Sequence, residues 1–431
     1  MDKQPPSQVD RSLRFSILDG IFANAMAGFT QDYFTPFLLL LGGQVKHVAA
    51  LTALPNLFAA LVQLKSADLT ERLKSRRKII NTFIFLHLLV ILPIAGMALF
   101  AYKNPELFIL LVVLFTALQA FAVPGWSSLM SDLVDKDKRG DYFGWRNKTL
   151  GLIAVGSTLI AGFLLNQMKK INIFYGFAAL FCLAFIFRTF SWYFLTRMHE
   201  PAIDIRKEHC FTLREFIVRM RKSNFAKFVL FAAIFNFSIF TAAPFFPVFM
   251  LKDLSMSYVL YGSLTATATL TIYLAMRRWG RHADKFGNLR TIKLSAFLIS
   301  LNPLFWLFSH NPAVLFLAQI ASGFGWAGFT LCSSNFIYDC AIPEKRTRCV
   351  AYYNFFVGVG IFLGSLCGGY LIKILPPLFG HSILTLFLIS ASLRLAVSLL
   401  MPKNLKEVRP VAEINGGRLF LSLTGIINYR K

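Results

Sequence analysis

The chain is predicted to be an all-α membrane protein with twelve transmembrane helices in two pseudo-symmetric six-helix bundles. Three observations predict it. Of the 431 residues 56% are hydrophobic, 15% are charged and 46 are Phe, whereas soluble chains average about 45–50% apolar and about 25% charged residues. Twelve apolar runs approach the roughly 20 residues a helix needs to cross the hydrocarbon core. Polar and glycine landmarks in the first half of the chain return in the second half after a fixed shift.

The first six runs cover residues 15–41, 47–64, 79–102, 107–129, 143–165 and 173–195. The second six cover 228–251, 258–276, 292–308, 314–337, 350–375 and 382–400. Lipid leaves no partner for an open strand edge, and these runs are too continuously apolar for alternating barrel strands, so they read as helices. The first run is too long for the apolar core of a removable leader and is expected to remain as a span. The resulting domains are a first bundle at 1–197, a linker at 198–227, a second bundle at 228–401 and a tail at 402–431. In the linker Leu213, Phe216, Ile217 and Met220 share one helical face, the pattern of a short amphipathic helix on the membrane surface. The apolar stretch 419–427 in the tail is too short to span.

Orientation follows from the basic residues. With the N-terminus inside, 37 of the 45 Lys and Arg fall on the inner side, 6 fall outside, and Arg188 and Arg394 lie within spans. This asymmetry places both termini in the cytoplasm, and a bacterial-type inner membrane is the expected location. The net charge of +24 would suggest nucleic-acid binding in a soluble protein. Here the cations sit in short loops between apolar runs, so nucleic acid is excluded as a partner. The six Cys form no C-x-x-C pair and read as small apolar filler.

A shift of 207 residues brings Asp132 onto Asp339, Arg139 onto Arg346, Asn147 onto Asn354, Gly151 onto Gly358 and Gly162 onto Gly369. Arg188 meets Arg394 one residue out of register. Duplicated halves mark many transporter folds, with the substrate site where the halves meet. A further landmark follows the second span of each half. The later copy carries Gly280, Asp284, Lys285, Gly287 and Arg290; the earlier one carries Asp68, Arg72, Arg76 and Arg77, with Leu64 and Glu71 where glycines are usual.

These loops resemble the Gly-x3-Asp-Arg-x-Gly-Arg/Lys loop of the major facilitator superfamily. The pairs Asp132-x6-Arg139 and Asp339-x6-Arg346 look like the acidic-x6-Arg signature of its sugar porters, with Asp in place of Glu. The resemblance covers roughly residues 15–402 and implies secondary active transport of a small solute by alternating access, with ion coupling. It also implies that Asp68 and Asp284 face the starts of spans five and eleven. Arg76, Arg77 and Arg290 are then expected to bridge to Asp132 and Asp339, giving a cytoplasmic gate of Asp68, Arg76, Arg77, Asp132, Arg139, Asp284, Arg290, Asp339 and Arg346. The other reading of these groups is a set of surface ion pairs that fix topology.

In the resembling fold spans one, four, seven and ten line the cavity, which makes Asn24, Asp32, Gln119, Asn236 and Trp326 the expected substrate contacts. Asp19 and Asp32, about 20 Å apart along one helix, are the candidate coupling acids for H+ or Na+. Arg188 and Arg394 are expected to anchor outer helices by snorkelling, or to pair with an acid of their own half. Gly360, Gly364 and Gly368, four residues apart, form a ridge against which another helix can pack closely.

No nucleotide-binding Gly-x4-Gly-Lys-Ser/Thr loop and no metal-spaced His cluster occurs, which argues against ATP-driven transport by this chain and against a polytopic membrane enzyme. The expected partners are a small-molecule substrate, membrane lipids and H+ or Na+, with no cofactor and a monomeric state. Lipid or lysolipid flipping on the same scaffold is the alternative function.

Overall fold

The computed structural model describes residues 8–73, 75–134, 139–201, 223–341, 346–412, 414 and 416–424. Side chains are described for all of these except residues 66–73, 131, 139–141, 347 and 424. The described residues are almost wholly helical. In the first half the helices are α1 (Gln8–Thr30), α2 (Phe34–Leu40), α3 (Val45–Leu73), α4 (Arg76–Leu99), α5 (Pro105–Leu133), α6 (Arg139–Met168) and α7 (Ile173–Thr196). In the second half they are α8 (Asn224–Phe240), α9 (Tyr258–Phe286), α10 (Asn288–Phe308), α11 (Pro312–Cys340), α12 (Arg346–Ile374) and α13 (Ser382–Leu400), followed by a tail helix α14 (Gly416–Thr424).

Among the described residues eleven helical stretches are long and apolar enough to cross a membrane. The twelfth span is α1 continued through a 3-10 turn, Gln31–Tyr33, into α2; its polar residues Asp19, Asn24, Gln31 and Asp32 set it apart in composition. Large apolar side chains such as Leu110, Phe163, Leu274 and Ile374 stay more than half exposed, as lipid contact permits and water does not. The protein is an integral membrane protein.

The break in span one was not expected from the apolar run. Its cause is Pro36, which has no N–H to offer the Asp32 carbonyl four residues back. Span seven is reworked in the same way. Regular helix stops at Phe240, and Pro244 and Pro247 are followed by a π-helical turn, Phe249–Asp253.

Contacts divide the chain into two compact units, Met1–Arg206 with Pro247–Ala266, and Lys207–Phe246 with Thr267–Lys431. Within the first unit α1 packs between α6 and α7, α7 against α4, α4 against α5, and α5 against α3. Within the second unit α8 packs between α12 and α13, α13 against α10, and α10 against α11; Gly323 of α11 abuts Ala268 of α9. The same order of neighbours therefore recurs in both halves.

Sequence explains the close contacts. Along α12 a β-carbon on Gly360, Gly364 or Gly368 would fall on the carbonyls of Ala233 and Phe237 of α8 and of Thr241, which caps it, so the glycine ridge lets two backbones touch. In the first unit the corresponding contact takes its glycine from the other helix: Gly28 of α1 meets Ala154 and Ser157 of α6. Asn104 caps α5 and Asn311 caps α11, each followed by Pro at the first helical position. Both features sit 207 residues apart and start span four in each half.

Candidate functional site

The chain alternates direction with each span, so the starts of α4 and α10, the ends of α5 and α11 and the tail share the basic end of their units. At that end of the first unit, Arg76 is 3% exposed. Its Nη1 donates to Asp132 Oδ2 at 2.5 Å and to Ser128 Oγ at 3.0 Å. Glu200, just after α7, accepts from the backbone N–H of Arg76 at 2.7 Å and from Ser75 Oγ at 2.8 Å. A carboxylate at a helix start satisfies orphan amides and meets the positive end of the helix dipole.

The second unit repeats the plan with different parts. Glu407, just after α13, accepts from the backbone N–H of Leu289 at 2.7 Å. Asn288, at the position of Arg76, donates to Asp339 Oδ2 at 2.7 Å. The cation comes from the tail: Arg409 donates to Asp339 Oδ1 through Nε at 2.8 Å and Nη2 at 2.5 Å, and its Nη1 lies 3.9 Å from Asp284.

Several expected partners differ. Arg77 donates to the Thr196 carbonyl at the end of α7 and Arg290 to the Ala412 carbonyl of the tail. Arg346 donates to the carbonyls of Tyr338 and Ala341 at 3.4 Å. The side chains of Asp68 and Arg139 and the linker helix expected around 213–220 lie outside the described residues. Glu200, Glu407 and Arg409 were missed by sequence reasoning, although Glu200 and Glu407 stand at the same 207-residue offset as the other landmarks.

Deeper in the first unit, Asp19 is 5% exposed and Arg188 3%. Arg188 Nη1 donates to Ser191 Oγ at 3.1 Å, Ser191 donates to Asp19 Oδ1 at 2.7 Å, and Arg188 Nε donates to His87 Nδ1 at 3.1 Å. The charge of Arg146 also acts on Asp19; its guanidinium stacks on Trp126 at 4.6 Å. Arg188 is thus no snorkelling anchor on an outer helix. A serine one turn along α7 and an acid on α1 hold it inside the bundle. Arg394 is likewise buried, donating to Ser390 Oγ and to the carbonyls of Ile239 and Ile299.

Asp32 sits in the broken turn of span one. Its Oδ2 accepts from Thr158 Oγ1 of α6 at 2.8 Å. Its backbone carbonyl, freed by Pro36, accepts from Tyr261 Oη at 2.6 Å, and Tyr261 belongs to the same compact unit. Tyr33 donates to the Thr158 carbonyl at 2.7 Å and meets the Tyr261 ring edge-on at 5.9 Å. Among the described residues no cation pairs with the Asp32 carboxylate.

The expected cavity residues are distributed between the units. Asn24 and Asn236 each donate to the carbonyl four residues back, Gly20 and Ala232. Gln119 and Trp326 are half-buried, and Trp326 meets Phe329 edge-on. Among the described residues no group of His, Cys, Asp and Glu could hold a metal ion.

A family model described as the Major Facilitator Superfamily matches residues 20–242 and 228–428. Among solved structures, a point mutant of the nucleoside transporter NupG superposes with a TM-score of 0.72 at 13% identity, over 91% of this chain and 98% of that one. NupG without that mutation gives 0.69 at 13% identity, over 93% and 100%. A bacterial homolog of the human lysosomal transporter Spinster, in an inward-facing and unoccupied conformation, gives 0.66 at 13% identity, over 97% and 99%. At such identity the likeness establishes the fold alone. No curated protein matches the chain by sequence.

Proposed function

The chain belongs to the Major Facilitator Superfamily and is a transporter rather than an enzyme, and on that premise we propose that it moves a small solute by secondary active transport coupled to H+ or Na+. Bundles 1–197 and 228–401, joined by the linker 198–227, alternate access to a shared site, with Asn24, Gln119, Asn236 and Trp326 as its contacts. Both termini and the basic ends face the cytoplasm of a bacterial-type inner membrane, as the charge asymmetry requires, and the chain works as a monomer.

The observation that carries ion coupling is Asp32. A carboxylate in a membrane span needs a partner, and this one has a hydroxyl rather than a cation. It stands at the break in span one, beside the Tyr261 hydroxyl that completes the broken backbone. A proton or Na+ taken up there changes the charge at a hinge, which is where an ion can bias two conformations. Asp19 is the weaker coupling candidate because Ser191 and Arg188 already engage it. At the basic ends, Arg76–Asp132–Glu200 and Arg409–Asp339–Asp284 act as the gate latch.

Purified protein in proteoliposomes, given imposed proton or sodium gradients and a solute panel starting with nucleosides, the class named for NupG, tests this. Accumulation above the external concentration that collapses with the gradient is expected. Equilibration without accumulation for every transported solute would overturn ion coupling.

A further inference from the structure

Arg146 of α6 differs from the other buried arginines. Arg76 meets Asp132, Arg188 is joined to Asp19 through Ser191, and Arg394 donates from all three of its nitrogens. Arg146 is 7% exposed, and among the described residues its one hydrogen bond runs from Nη2 to the Ser16 carbonyl at 3.2 Å. Its Nε is buried without a partner. So is Nε1 of the half-buried Trp126, on whose ring the guanidinium stacks at 4.6 Å. Gly20 of α1 makes room for this arrangement, since a β-carbon there would meet Arg146 Nη2 at 2.7 Å. Two orphan N–H groups, one of them charged, therefore share one cluster between α1, α5 and α6.

The charges there do not balance. Among the described residues Asp19 is the one carboxylate whose charge acts on Arg146, and Asp19 is already engaged by Ser191 and Arg188. Two buried cations thus share one buried acid, and an uncompensated charge inside a membrane bundle is costly. Asp141, five residues before Arg146, falls about 140° away around α6. The repeat shows that packing at this place needs no cation. At the 207-residue offset Arg146 falls on Tyr353 and Trp126 on Ser333, and Tyr353 stacks on Phe228 at 5.8 Å. The position also matters. Trp126 stands two turns, about 10 Å, from Gln119 on the same face of α5, and Gly20 stands one turn from Asn24 on α1. Arg146 lies at the basic-end margin of the face that carries those two proposed contacts.

From this we infer that Arg146 and Trp126 bind one anionic oxygen group, a carboxylate or a phosphate, whose oxygens accept from Arg146 Nε and Trp126 Nε1. Guanidinium is the side chain best suited to such a group, because its N–H donors are charged and fixed in a plane. The indole adds a neutral donor and a face that holds the guanidinium in place. The bound charge answers the cation that Asp19 leaves over. The group is the charged end of the transported solute or a free anion of the same chemistry. The first case rests on the reading of the chain as a solute transporter; neither case depends on ion coupling at Asp32.

The test is anion binding by the full chain in detergent, read as a saturable rise of the thermal unfolding midpoint with millimolar inorganic phosphate, sulfate or acetate. General salt effects act on every variant alike, so the readout is the difference between wild type and variant. Wild type should respond to at least one of the three anions. Arg146→Gln should weaken that binding about ten-fold or more, as for a lost charge-assisted hydrogen bond. Trp126→Phe keeps an aromatic ring under the guanidinium, should weaken binding about five-fold, and stays informative where Arg146→Gln fails to fold. Glycerol 3-phosphate, uridine 5′-monophosphate and succinate then separate the two sources. Tighter binding than inorganic phosphate or acetate assigns the group to the solute, and equal binding assigns a free ion. No saturable rise in wild type, or the same rise in wild type and both variants, would overturn the proposal. Binding is measured without a gradient or transport, so failure of the coupled-transport reading would leave this result standing.

Discussion

In the first bundle the buried arginine of the sixth span, Arg188, is met by side chains: His87 from α4, Ser191 from its own helix and, through that serine, Asp19 from α1. In the second bundle its counterpart, Arg394, is met mainly by backbone. It donates to Ile299, whose carbonyl lost its helical donor to Pro303, and to Ile239 in the last turn of α8, where carbonyls are orphaned. One cation thus does the same packing work in both halves, once by neutralising an acid and once by filling carbonyl vacancies left by broken helix. The repeat keeps the arginine and changes what it answers.

That difference predicts unequal penalties. Arg188→Met strips the serine-linked cation from a buried acid, and loss of about 3–5 kcal/mol is expected, as for other broken buried pairs. Adding Asp19→Asn should return part of it. Equal damage in the single and double variants, read from denaturation midpoints in detergent, would break the comparison. Arg394→Met leaves only neutral carbonyls unpaired, so about 1–3 kcal/mol is expected. A penalty matching that of Arg188→Met would show that the two sites are energetically alike.

The basic ends sharpen the same contrast at lower energies. Glu200→Gln and Glu407→Gln each weaken a helix start, by about 1 kcal/mol, and Glu200→Gln should be the larger because Arg76 also faces that carboxylate at 3.7 Å. Arg409→Ala removes an exposed cation from Asp339 and should change stability by less than about 1 kcal/mol. Its clearer readout is faster proteolysis of the tail, and unchanged proteolysis would separate Arg409 from tail docking.

Much of this was legible in the sequence. Length and apolarity locate the spans, and the 207-residue shift finds the Asp132 and Asp339 ends. The glycine ridge of α12 foretells a close helix contact, because a missing side chain is visible in the letters themselves; that the partner is α8 comes from the fold. What was hidden depends on backbone. Tyr261 reaches Asp32 because Pro36 leaves a carbonyl open, and Arg394 reaches Ile299 for the same reason at Pro303. Snorkelling was the wrong expectation for Arg188 and Arg394 because periodicity does not say which helix face meets lipid. Arg409 was missed because it lies outside the repeat and substitutes from the tail for a cation the second loop lacks at Asn288.

The account assigns the Arg188–Ser191–Asp19 network of the first bundle to structure and the acid at the break to coupling. Proteoliposomes containing Asp32→Asn, assayed with a solute the wild type accumulates, test that division most directly. Solute exchange at equal concentrations should persist within about two-fold, while gradient-driven accumulation is lost, as expected when a charge-changing site is removed from an otherwise competent carrier. Accumulation by Asp32→Asn equal to that of the wild type would contradict it.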